Sequence, residues 1–110
     1  MILADRARFI AEENLKRRRY NFTHCAMPEI MDMLEKRIVC MSENGGSSTS
    51  FLFEPGDVWR FQEKFDCVWD DEQWKEIVDE LDKHGYSAAS SYVTYGGGVR
   101  IVINWKERRP

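Results

Sequence analysis

Apolar residues recur at helical spacing in two separate stripes within the first half of the chain. Leu3, Ala7, Ile10, Ala11 and Leu15 recur at i, i+4, i+7, i+8 and i+12, which puts them on one side of a helix over residues 2–19. Asp5 in its first turn and Lys16 to Arg19 in its last both suit the helix dipole. The pattern breaks at Tyr20-Asn21-Phe22, which reads as a loop. A second helix follows Pro28, with Met27, Ile30, Met31, Leu34, Ile38 and Met41 as its stripe. Asn44-Gly45-Gly46 stops it, because glycine accepts the left-handed conformation that ends helices. The run that follows is β-type, with Phe51 and Phe53 on one face.

Glu54-Pro55-Gly56-Asp57 reads as a turn, with Asp57 capping a short helix that turns Val58, Phe61 and Phe65 inward. Asp70 with Gln73 three residues on is a capping-box pattern, and it opens a helix whose stripe is Trp74, Ile77, Val78 and Leu81. Gly85 closes that helix, and Tyr86 packs back on Leu81. Residues 87–95 and 99–105 alternate at a period of two, with Val99, Ile101, Ile103 and Trp105 on one face. Joined by Gly96 to Gly98, they predict a hairpin. Residues 106–110 are a polar tail expected to fray. The fold expected is a single α+β domain over 1–110 in the order ααβααββ, a small antiparallel sheet with helices packed on one face.

Charge changes this picture more than composition does. Residues 1–20 hold six basic and three acidic groups, residues 54–83 hold four and eleven, and residues 84–110 hold four and one. The chain is therefore basic, acidic, then basic again. No apolar run approaches the roughly 18 residues of a membrane helix, and charges enter the N-terminal segment from Asp5 on, so the reading is a cytoplasmic protein without membrane contact. Cys25, Cys40 and Cys67 are odd in number and widely spaced, which predicts reduced, mostly buried thiols.

Candidate chemistry is sparse. A phosphate loop needs its glycines ahead of a helix, whereas Gly96 to Gly98 precede the β-branched run Val99-Arg100-Ile101-Val102-Ile103; they read as a hairpin tip. His24 adjoins Cys25, but neighbours on a helix or strand point apart, and a Cys67–His84 pair has only composition behind it. No cysteine or histidine pair has zinc spacing, and the carboxylates from Asp66 to Glu72 lack the EF-hand pattern; neither a metal nor a cofactor is expected. Two surfaces remain for a partner. One is the acidic face of the capped helix, Asp71, Glu72, Lys75, Glu76 and Asp79, suited to a basic protein; the other is the hairpin tip with Tyr92, Tyr95 and Arg100. The alternative is nucleic-acid binding through the basic run Lys16, Arg17, Arg18 and Arg19, although a pI near 5.4 is low for that class. Of the four tryptophans, Trp59, Trp69, Trp74 and Trp105, each reads first as core and second as interface.

The arrangement over residues 70–105, a capped helix, D-K-H-G-Y, a strand, a glycine turn and I-V-I-N-W, resembles small accessory proteins encoded by tailed bacteriophages. That resemblance implies a non-catalytic protein made during infection that blocks or sequesters a host enzyme or defence complex, or else a phage structural or assembly component. It assigns no catalytic residue. A homodimer is compatible with either role.

Overall fold

The computed structural model describes residues 1–106. Its elements run α1 (Ala4–Asn21), a π-helical turn (Phe22–Ala26), α2 (Met27–Glu43), β1 (Ser48–Phe53), α3 (Pro55–Phe65), α4 (Asp71–Lys83), β2 (Ser87–Tyr92) and β3 (Val99–Asn104). This is the α+β order expected. The tail expected to fray lies, from residue 107 on, outside the described residues.

The first correction concerns Tyr20-Asn21-Phe22, which is not a loop. Helical backbone runs without a break from Ala4 to Glu43. At about 1.5 Å per residue that is a rod of about 60 Å, and it sets the 62 Å long axis of the molecule. The π turn explains why the two stripes looked like two helices. On an unbroken α-helix they lie roughly half a turn apart, and the extra residue of a π turn absorbs about 100° of that. Met27 N–H bonds Phe22 O, five residues back. Pro28 gives a reason for the widening here: it has no N–H, and in a regular helix its ring would press on the carbonyl four residues before it.

The second correction concerns α1, whose stripe was expected to pack. No residue of α1 is buried, whereas Met27, Ile30, Leu34 and Ile38 of α2 are. The helix runs beyond the rest of the domain and meets it only near its C-terminal end. There Arg17 and Arg18 pair with Asp66 at 2.9 and 3.6 Å, Asn21 Nδ2 donates to Asp66 O, and Val68 N–H donates to Arg18 O. Asp66 ends α3 in the left-handed conformation, φ 49°.

Helix ends follow local chemistry. α4 opens on the expected capping box, Asp70 N–H donating to Gln73 Oε1 at 2.8 Å. α3 starts two residues before Asp57: Glu54 is its N-cap, Pro55 fills the first turn, and Asp57 returns a bond to the Glu54 N–H at 3.0 Å. α2 and α4 both end in paired reverse bonds through a glycine. Gly46 N–H bonds Met41 O and Gly45 N–H bonds Ser42 O; Tyr86 N–H bonds Leu81 O and Gly85 N–H bonds Asp82 O.

The sheet is antiparallel throughout in the order β1-β3-β2, with Phe51 opposite Ile101 and Ser90 opposite Ile101 across the central strand. Val99, Ile101 and Ile103 are buried and their neighbours exposed, as the alternation requires. They meet Phe53, Phe22, α2 and α4 in one core. Trp69 sits among four rings, Phe22, Phe53, Phe61 and Trp74, with centroid separations of 5.4, 5.5, 5.5 and 4.7 Å. Trp59 is exposed and Trp105 half-buried, in edge contact with Tyr86, so the four tryptophans divide between the two readings.

β2 ends at Tyr92, three residues short of the strand expected, and Val93 N–H to Gly98 O at 2.8 Å closes the neck of the loop. Gly98 is a point of close approach: a Cβ there would lie 2.9 Å from Phe53 O and 3.1 Å from a Leu52 methyl. Gly98→Ala is expected to cost about 1–3 kcal/mol, the usual range for forced overpacking. A urea titration reads the loss; an unchanged midpoint would show that β1 and the loop part without cost.

Candidate functional site

The loop between α3 and α4 carries Cys67, Val68 and Trp69 into the core, so the N-terminus of α4 emerges beside the open edge of the sheet. β2 is an edge strand, and its inward-facing Tyr92 is left uncovered. The Tyr92 phenol spans the gap and donates to a carboxylate oxygen of Asp71. Hollows open on both sides of this bridge. The larger, about 580 Å³, has Pro55, Val58, Trp69 and Trp74 among its apolar walls and Asp70, Asp71 and Glu72 on its acidic side. The smaller, about 300 Å³, runs between α4 and β2 past Val78 and Ser90. Asp71, Trp74, Tyr92 and Val99 line both.

Two of the surfaces suggested by the sequence thus become one: the acidic start of α4 and the end of β2 meet at Asp71 and Tyr92. Glu72 lies in the same cleft, 3.9 Å from Arg19. The other candidates fall elsewhere. Glu76 is half-buried and accepts the Thr23 hydroxyl at 2.7 Å, tying α4 to the π turn. Asp79 is exposed, two turns further along α4. Tyr95 is exposed at the loop apex, and Arg100 is exposed on the opposite face of the sheet from Val99 and Ile101.

The basic run is committed within the chain. Lys16 pairs with Glu13 at 3.5 Å, Arg17 and Arg18 with Asp66, and Arg19 with Glu72. Arg18 also donates to Cys67 O at 3.3 Å. Exposed pairs of this kind contribute little singly; those of Arg17 and Arg18 join α1 to the 66–70 loop, and that of Arg19 joins it to the start of α4.

Of the cysteines only Cys67 is buried; Cys25 and Cys40 are exposed, against the expectation that most would be covered. Burial pushes the Cys67 thiol up, opposed by the nearby Arg18 charge, so it stays protonated at neutral pH and is a poor nucleophile. It donates to Phe61 O. Cys67 and His84 do not meet: they flank α4 at opposite ends, and 13 residues of helix span roughly 20 Å. Among the described residues no cluster of His, Cys, Asp and Glu is placed to hold a metal ion, and no helix is long and apolar enough to cross a membrane.

Trp69, read from the sequence first as core and second as interface, is a core residue that also walls the cleft. Its indole N–H is buried without a partner among the described residues. The signal for it was the apolar triplet Cys67-Val68-Trp69 directly ahead of a capping aspartate, where a polar linker would be ordinary.

The bond to Asp71 raises the Tyr92 phenol above its ordinary value of 10.0, helped by desolvation and by the charges of Asp71 and Asp70. The contact is therefore intact below pH 10 and is lost as the pH climbs through the raised value. Tyr92 is expected to ionise at higher pH in the native chain than in Asp71→Asn, followed by its ring NMR signals. Identical titration curves would show that the bond does not form in solution.

No protein-family model matches the chain, and no curated protein or solved structure matches it significantly.

Proposed function

We propose that this chain is a non-catalytic binding protein that captures a basic protein partner in the cleft between the start of α4 and the end of β2. The observation that carries this reading is the Tyr92–Asp71 bridge, which joins aromatic walls and three carboxylates into a single concave surface. Aromatic faces and carboxylates together suit a lysine or arginine side chain, through cation–π attraction and charge-assisted hydrogen bonds. Cleft, charge and aromatic anchors are also what interface energetics favour. The likeness of residues 70–105 to phage accessory proteins supports a concrete form: an inhibitor that occludes a host enzyme or defence complex. A pI near 5.4 weighs against nucleic-acid binding as the main role.

The test is capture from a bacterial host lysate with the native chain and with the double variant Asp71→Lys, Glu72→Lys. The expected result is a stoichiometric partner with a basic surface that the double variant releases. A gel shift with RNA or DNA that disappears in Arg17→Ala, Arg18→Ala, without any such partner, would reverse the reading.

A further inference from the structure

β2 is an open edge of the sheet. Antiparallel strands turn alternate residues toward their neighbour, and two bonds at the ends of the ladders fix the phase. Val93 N–H donates to Gly98 O, and Trp105 N–H donates to Ser47 O. Counted in twos along the register, Ser91, Ala89 and Ser87 bond to β3, while Tyr92, Ser90 and Ala88 turn their main-chain N–H and C=O groups away from it. Among the described residues no main-chain partner meets those outward groups. Ser90 and Tyr92 are exposed. Natural sheets blunt such edges with charged side chains or proline; Ser87–Tyr92 has neither, only serine, alanine and one tyrosine.

Unpaired main-chain groups of this kind accept an extended strand, and their surroundings say which. The hollow of about 300 Å³ runs beside this edge, with Asp71, Trp74, Lys75, Val78, Ser90 and Tyr92 in its lining. Residues of an added strand opposite Tyr92 and Ser90 place their side chains on this same face, about 5 Å away. The one opposite Tyr92 runs alongside the phenol toward Asp71, which the phenol already reaches, and suits lysine or arginine. The one opposite Ser90 lies at Val78 and Trp74 and beside Lys75, and suits an apolar group. A second copy of this chain fits worse. Paired about a dyad through Ser90, it would set two α4 helices on the same side of one sheet, each with six carboxylates and two lysines. β1 is the other edge, but β3 separates it from β2 and the hollow.

We infer that β2 takes up an extended segment of the basic partner as a fourth strand, with lysine or arginine opposite Tyr92 and an apolar residue opposite Ser90. The added strand is antiparallel, which continues the pattern of the sheet and lets facing residues exchange both bonds. This rests on the cleft reading and adds to it the conformation of the captured segment and the two-residue spacing from its basic to its apolar side chain.

The probe is a terminally blocked peptide that alternates threonine with lysine, valine and valine, in that order, titrated into the isotope-labelled native chain and followed by NMR. In the free chain the amides of Ala89 and Ser91 are expected to exchange slowly with solvent and those of Ser90 and Tyr92 fast. The peptide is expected to protect the fast pair. N-methylation of its first valine, opposite Ser90, removes one main-chain bond and is expected to raise the Kd about tenfold. Ser90→Pro is expected to do the same from the other side, with unchanged circular dichroism, because the N–H it deletes takes no part in the ladder to β3. Asp71→Lys with Glu72→Lys is expected to weaken the peptide too. Binding that ignores both the N-methyl group and Ser90→Pro, yet is lost in the charge variant, would overturn the strand and leave the cleft reading standing. So would a peptide that fails to bind while a basic partner is still captured, or a native dimer that Ser90→Pro dissociates, which would make a second copy the occupant. A charge variant that holds peptide and partner as tightly as the native chain would sink the cleft reading, and this inference with it.

Discussion

Trp69→Ala is expected to lower the folding free energy by about 3–5 kcal/mol, the range found when a fully packed aromatic is truncated. Trp69 is 4% exposed and touches rings from the π turn, β1, α3 and α4. Its removal opens a cavity where all four elements meet, and the loop that carries it is anchored at both ends by helices and cannot easily collapse into the gap. A small domain has only about 5–15 kcal/mol of stability to lose, so this one change removes a large part of it. Urea unfolding followed by far-UV circular dichroism measures the effect. Trp59→Ala is the control: Trp59 is exposed, and substitutions at such positions fall within about 0.5 kcal/mol. Equal effects of the two changes would show that Trp69 is not the centre of the core.

The second large effect is on binding. Asp71→Lys with Glu72→Lys is expected to weaken the partner complex about a hundredfold, or about 2.7 kcal/mol. Each reversal both removes an attraction and adds a repulsion, and an exposed pair contributes up to about 1 kcal/mol in either sense. Lysines in the first turn also oppose the α4 dipole, at about 0.3–1 kcal/mol each. The fold must therefore be checked by circular dichroism alongside binding. Asp71→Asn with Glu72→Gln separates the contributions: it leaves the dipole nearly unopposed and is expected to cost about tenfold. Salt should shrink all of these differences, since the cleft is open to solvent. A folded lysine variant that binds as tightly as the native chain would rule the cleft out.

Local chemistry in the sequence carried far. Asp70 with Gln73, Gly45 with Gly46, and Gly85 with Tyr86 each fix a helix end through bonds among neighbours, and each forms as their spacing requires. The alternation of Val99, Ile101 and Ile103 identified the core strand because a central strand shows its burial pattern directly. Three things were hidden, for different reasons. The π turn was hidden because a period of 3.6 residues cannot tell a phase jump from a break. Glu54 was passed over because glutamate is a less usual cap than Asp57, and its reciprocal bond depends on Asp57 being three residues on. The cleft was invisible because Pro55, the Trp69-Asp70-Asp71 run and Tyr92 are three separate stretches that only the folded chain brings together. Tyr92 and the acidic helix could be nominated singly, but nothing in either stretch encodes their meeting. The exposure of Cys25 and Cys40 ran against the usual burial of cysteine because both sit on the outward side of the rod.

One residue in the widened turn before Pro28 governs where the overhang points. Deleting a position within Phe22–Ala26 would return the rod to ordinary pitch and swing the N-terminal arm through about 100° about its own axis. The arm would then aim its greasy side elsewhere and pull the arginines off their aspartate anchor, while the packed half of the rod kept its seat. Length changes at this spot therefore act as a rotary setting on the arm's heading, independent of the sheet beneath.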